Sequence, residues 1–155
     1  PWVIMAGFLS GGVLRAFMIA ALVVVIALFF THLPVYSYAL TIVIALMTAI
    51  LFSLAGMLNG IYAQKFDDIN IVPTFILTPL TYLGGVFYSV DMLSPIWKSI
   101  SYFNPILYMV NAFRYGMLGV SDINIWLSLS FIALFIVILT MWVFYLLKRG
   151  TGVRS

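Results

Sequence analysis

Between Asn124 and Leu147 the sequence is almost unbroken Ile, Leu, Val and Phe, without a single acid or base. As a helix this stretch is about 36 Å long, more than the roughly 30 Å of hydrocarbon in a bilayer. A chain of 155 residues cannot wrap such an element on every side. Two further uncharged runs, Tyr38 to Tyr62 and Ile69 to Phe87, and Gly12 to Phe30 with Arg15 alone, repeat the pattern. It predicts an all-α, polytopic membrane protein with four transmembrane helices, at about 12–30, 38–62, 69–87 and 124–147. Composition agrees: 65% of residues are hydrophobic and 7% charged, where about a quarter are charged in soluble domains. All 155 residues fit one bundle.

Each span carries local signals. Pro1 to Ser10, interrupted by Gly7 and Ser10, reads as the tail of an interfacial element, and Arg15 as a side chain that snorkels from the start of span one. The second span holds Ser53, Gly56, Asn59 and Gly60. Gly56 and Gly60 form a GxxxG that lets helices approach closely, with packing inside the subunit favoured over a dimer contact. Asn59 reads as a hydrogen bonder at a helix end. Pro73 and Pro79 predict a kinked third span, with Asp67-Asp68 capping its start. Trp126 and Trp142 to Tyr145 suit the two interfaces of the last.

Between the third and fourth spans lies most of the polar chemistry. Ser94-Pro95 and Asn104-Pro105 each place a capping side chain before a proline suited to the first helical position. They open helices predicted over Pro95 to Phe103 and Pro105 to about Leu118, both too short to span. Residues 88–122 therefore read as a re-entrant hairpin in the outer leaflet. In the second helix Ile106, Val110, Phe113 and Met117 form the stripe expected to be buried, while Tyr108, Asn111, Arg114 and Tyr115 share another face. Arg114, a charge at membrane depth, calls for Asp91, Asp122 or headgroups as partner, or for substrate.

Orientation follows from Lys and Arg. With the tail cytoplasmic and four spans, Arg15, Lys65, Lys148, Arg149 and Arg154 lie inside, and Lys98 and Arg114 outside. With Cys 0 there are no disulfides, thiolate metal sites or thiol nucleophiles. Pro1 is no translation start and no basic segment marks a signal peptide, so more chain is expected before it.

Pro79-Leu80-Thr81-Tyr82-Leu83-Gly84-Gly85-Val86-Phe87-Tyr88, then Pro95, Asn104-Pro105-Ile106 and Ala112-Phe113-Arg114-Tyr115-Gly116, resemble the C-terminal signature of ABC-2 type transport permeases. The resemblance runs the length of the chain. It implies that an N-terminal interfacial helix, two spans and most of the coupling helix precede Pro1. It also implies a permease subunit of an ABC exporter in the bacterial inner membrane, multi-pass, with a cytoplasmic C-terminus. The subunit would be a homodimer working with an ABC ATPase that binds ATP and Mg. On this chain it implies no catalytic residue, metal or cofactor, and no nucleic-acid partner. Ser53, Gly56, Asn59 and Gly60 are the pathway candidates. Asn104, Tyr108, Asn111 and Arg114 are candidates for the outer gate.

Other classes fit less well. An ion-coupled secondary transporter needs ionisable residues near the midplane, and a membrane scaffold subunit is the blander alternative. An intramembrane enzyme needs a nucleophile and base, yet His32 is the lone histidine and sits in a loop beside Pro34. Asp67-Asp68 lacks the third acid and second cluster of a diphosphate-metal site, and no GxxxxGK[ST] phosphate loop occurs.

Overall fold

The computed structural model describes residues 1–84 and 92–151. The described residues are helical and contain no strand. Three helices are long and apolar enough to cross a membrane: α1 (Trp2–Leu28), α2 (Tyr38–Tyr62) and α6 (Ile125–Lys148). Between them lie α3 (Thr78–Tyr82), α4 (Pro95–Ser101) and α5 (Pro105–Leu118).

The first helix corrects the sequence reading. Gly7, Gly11 and Gly12 do not interrupt it, and Pro1 to Ser10 is no separate interfacial element. In an apolar solvent a backbone N–H has only the carbonyl four residues back to bond with, so glycine loses most of its tendency to break a helix. Ser10 joins in, its hydroxyl donating to the Gly7 carbonyl at 2.9 Å. Arg15 consequently lies near the middle of α1, about 20 Å along the axis from either end, rather than near its start.

The third span is likewise no single regular helix. A 3-10 turn over Phe66–Asn70 leads into a π-helical turn over Pro73–Leu77 and then α3. Residues 85–87, predicted to end it, and Tyr88 and Asp91 of the hairpin lie outside the described residues. The prolines explain the irregularity. Pro73 has no N–H for the Ile69 carbonyl and Pro79 none for that of Phe75. Asp68 reaches back from the first turn, its carboxylate accepting from the Gln64 and Lys65 N–H groups at 3.1 and 2.9 Å. The cap position itself belongs to Lys65.

The short helices begin where the proline signals put them. α4 stops at Ser101, before Phe103, and Ser94 makes no side-chain cap. Asn104 does cap α5, accepting from the Ile106 N–H at 3.0 Å. Gly119, at φ 76°, ends that helix in the left-handed conformation that glycine adopts without strain. A side chain there would also meet the Tyr36 ring.

Two apolar clusters share α2 and α6. One sets Ile44 and Leu51 against Leu107, Met109, Ala112 and Ile132, joining α5 to the pair. The other sets Leu54, Met57 and Leu58 against Met5, Val143 and Leu146, joining the start of α1 to it. Around them the apolar surface faces outward: Val3, Leu22, Phe30, Leu134 and Met141 are all exposed, as lipid-facing residues must be. The buried face of α5 runs through Leu107, Tyr108, Asn111, Ala112 and Gly116. This overturns the expected stripe except at Ile106, which is buried. Val110, Phe113 and Met117 are only half buried, because this helix turns its polar side chains toward protein.

Candidate functional site

The sequence-derived residues fall into two places. Ser53 and Gly56 lie on α2 in a cleft against α1. Asn104, Tyr108, Asn111 and Arg114 lie along α5, in a polar junction with the third-span segment and the start of α6. Asn59 and Gly60, at the end of α2, belong to neither.

In the junction each of these four side chains has partners. Asn104, 3% exposed, caps α5 with its oxygen and donates through Nδ2 to the Leu80 carbonyl at 2.6 Å. Leu80 is at the ragged end of α3, where the Gly84 N–H goes to Thr81 instead of closing the regular bond. Asn111, 1% exposed, donates to the Leu107 carbonyl at 2.8 Å and accepts the Asp122 N–H at 3.1 Å. The Tyr108 hydroxyl donates to the Tyr102 carbonyl at 2.6 Å, and its ring stacks on Phe131 with centroids 4.0 Å apart. Arg114 meets Asp122 at 3.3 Å. Asp122 is thus held by side chain and backbone together, and the α5–α6 connection is fixed to α5.

Asn59 performs a matching task at the opposite end of the broken helix. Its Nδ2 donates to the Ile69 carbonyl at 2.8 Å, the carbonyl that Pro73 leaves without a donor. Two asparagines, Asn59 and Asn104, therefore hold the irregular segment at carbonyls its own backbone cannot satisfy. The pairing was visible in neither motif, since it depends on which helices are neighbours.

The α1–α2 cleft differs in character. Its volume is about 470 Å³, and its walls include Phe8, Gly12, Arg15, Ala16, Ala45, Thr48, Ser53, Gly56 and Phe113. Gly12 is where the helices touch: a methyl group there would overlap Ser53. Among the described residues no neighbour packs closely on Gly56 or Gly60. A Cβ added at either finds nothing within 4 Å among the described residues. Arg15 and Thr48 are cleft residues the sequence reading passed over. Arg15 was placed too near a helix end, and a mid-helix threonine carries no motif.

Among the described residues no cluster of three or more His, Cys, Asp or Glu side chains could hold a metal ion. The geometry is that of a polytopic helical membrane protein whose polar groups fasten helices together and line a cleft. The chain belongs to the ABC-2 type transporter family, which matches residues 1–118. It is 48% identical over 153 residues to the inner membrane transport permease YadH of Escherichia coli K12. That match takes in 99% of this chain but only 60% of the relative's length. Nodulation protein J of Rhizobium leguminosarum bv. viciae is 28% identical over 109 residues, covering 70% of this chain and 41% of that protein. No solved structure matches the chain.

Proposed function

We propose that this chain forms part of the membrane-spanning permease subunit of an ABC exporter, moving a substrate across the bacterial inner membrane. ATP hydrolysis would be done by a separate ATPase subunit, which holds ATP and Mg. The observation that carries the reading is the family match, joined to a 48% likeness to a named transport permease that runs through both the cleft and the junction. A chain without a phosphate loop suits this division of labour.

The topology we propose keeps four crossings. Trp2 lies against Phe144, ring centroids 4.5 Å apart, so the start of α1 stands beside the end of α6. Tyr62, at the end of α2, accepts from the Trp142 indole at 3.2 Å and belongs to that same end. These neighbours support an even number of crossings. Three come from the long helices, and the fourth is the segment 66–82. Lys148, Arg149 and Lys65 then gather on the cytoplasmic side. Residues 92–122, the described part of the hairpin, would sit in the outer leaflet, their irregular backbone at Asn104 shielded by protein as a bilayer demands. A homodimer would place the pathway between two copies, with α2 beside it and the hairpin closing its outer end.

The decisive experiment reconstitutes the intact permease with its ATPase and measures substrate-stimulated ATP turnover. Saturable ATP binding by the permease without its partner would refute the division of labour. Orientation is read from single cysteines. A membrane-impermeant maleimide on intact spheroplasts should label Ser94→Cys and reach Thr151→Cys only after lysis. The reverse pattern inverts the topology. Ser94→Cys and Ser121→Cys labelled from opposite sides would turn the hairpin into a full span.

A further inference from the structure

The broken third span is held at two places, and the two holds differ in kind. At the end that joins α2, Asn59 donates to the Ile69 carbonyl from the last turn of its helix, through an exposed bond. At the other end the hold is buried and double. Asn104 donates to the Leu80 carbonyl, and Gly84 lies so close to Ile106 of α5 that a Cβ there would collide with it.

Between the holds lies the π-helical turn over Pro73–Leu77, a form that is rare and occurs mostly as single turns inside α-helices. The Thr78 N–H bonds the Pro73 carbonyl, five residues back, where an α-helix would use that of Thr74. The Thr78 hydroxyl donates to the same Pro73 carbonyl at 3.1 Å. The turn therefore holds one residue of slack, equal to about 100° of helical rotation and about 1.5 Å of rise. Two prolines keep that slack in place. The bonds that would splice the turn to its neighbours, from residue 73 to the Ile69 carbonyl and from residue 79 to that of Phe75, lack their N–H. Both bonds are missing whatever else packs on the span, so the break belongs to the chain itself.

Closing the turn needs a short exchange of partners. The Thr78 N–H passes to the Thr74 carbonyl, and the Leu77 N–H, four residues beyond Pro73, takes its place. In an apolar medium a motion that trades partners is far easier than one that strands a polar group.

We propose that the π turn is a rotary joint: when the Asn59 bond opens, the turn closes to α-helix and the inner half of the span, residues 66–76, rotates while the outer half, residues 78–84, stays docked on α5. The inner half is the one that moves because a single exposed bond restrains it, against a buried bond and a close backbone contact at the outer end. In the proposed permease this would move the cytoplasmic half of the span and leave the outer hairpin still, a role that rests on the transport reading.

The test reads distances between paired nitroxides in the intact permease. Cysteines outside this chain are replaced, and the labelled protein is diluted with unlabelled permease so that distances within one copy are measured. Ile71→Cys with Met141→Cys reports the inner half against α6, and Thr81→Cys with Leu118→Cys reports the outer half against α5. In the parent protein each pair should give one distance. Asn59→Leu should add a second population to the inner pair, displaced by at least about 4 Å, as expected of a side chain about 5 Å from an axis that turns by about 100°. The outer pair should not change. Deleting Phe75 in the Asn59→Leu background removes the slack and should return the inner pair to one distance. A single inner distance in Asn59→Leu overturns the proposal, and that comparison stands even if the deletion does not fold. A second population that survives the deletion overturns it too, as does an outer pair that moves with the inner one, since the span would then move as a rigid body. Distances are read without nucleotide or ATPase, so their outcome is independent of the transport reading.

Discussion

The polar junction around α5 and the cleft between α1 and α2 treat several of their polar side chains differently. At the junction Asn104, Asn111, Tyr108 and Arg114 meet partners inside the chain, and the two asparagines are almost wholly buried. In the cleft Thr48 is buried without a partner, and Arg15 has none among the described residues. An unsatisfied polar group in an apolar medium costs several kcal/mol. The satisfied groups of the junction fasten helices, yet Ser101 and Ser128 beside them are fully buried with unpartnered hydroxyls, so an open hydroxyl does not by itself mark a binding site. Polarity alone would not separate the two, since the Asn111 side chain and the Thr48 hydroxyl are both polar and both buried.

The sharpest way to break the contrast is at Asn104. Asn104→Ala removes the α5 cap and strands the Leu80 carbonyl, so it should cost about 2–4 kcal/mol, the sum of a lost cap and a lost buried bond. Denaturation of the purified protein in mixed micelles, followed by helical circular dichroism, measures this. A change below about 0.5 kcal/mol would mean that water or lipid headgroups reach Asn104, and the junction would no longer be the satisfied region.

Asn59→Leu comes next. It leaves the Ile69 carbonyl without a donor, since Pro73 has none to offer, and because the bond is exposed the expected loss is about 1 kcal/mol. The double variant Asn59→Leu with Pro73→Ala restores a backbone N–H at that place and should recover part of it. No recovery would show that the asparagine holds α2 for another reason. Smaller still is Arg114→Ala. With Arg114 and Asp122 side chains 26% and 24% exposed, screening limits the pair to about 1 kcal/mol or less of stability. Transport should nonetheless fall further than in Lys98→Ala, because Arg114 fixes the link into α6. Equal tolerance of both changes would remove Arg114 from the candidate gate.

These residues also show what the sequence could and could not reveal. Apolar runs longer than a bilayer marked α2 and α6 almost to the residue, because lipid leaves a chain few alternatives to helix. Proline and its preceding cap marked the starts of α4 and α5 for an equally local reason. The errors came where the outcome depends on neighbours. Glycine ends helices in water, so Gly7 and Gly12 read as breaks, and the depth of Arg15 in α1 stays hidden. The α5 face was turned the wrong way because an apolar stripe reads as core by the habits of soluble proteins. In this bundle lipid can take the apolar side, and protein must take Tyr108 and Asn111. The asparagine bonds to Ile69 and Leu80 are tertiary, and no spacing in the sequence announces them.

The smallest expected effect on the fold is the most informative about the cleft side. Gly56 and Gly60 have open space where a side chain would go, and both are exposed in the isolated chain. Replacing a glycine inside a helix with leucine removes a helix penalty of up to about 1 kcal/mol, less in the last turn where Gly60 lies. Gly60→Leu should therefore leave the stability of this chain unchanged or slightly raised in the same micelle titration. If a second copy, or another part of the permease, closes on that face, the bulk added by Gly60→Leu will hold the helices apart, and assembly and transport will fall while the fold stands. Gly56→Leu adds a separate reading, since Gly56 also lines the cleft and its leucine would crowd whatever lies against Arg15. Loss of transport in both variants with stability intact places a partner on this face of α2. Loss in Gly56→Leu alone assigns the effect to the cleft, and full transport in both means that the face looks at lipid.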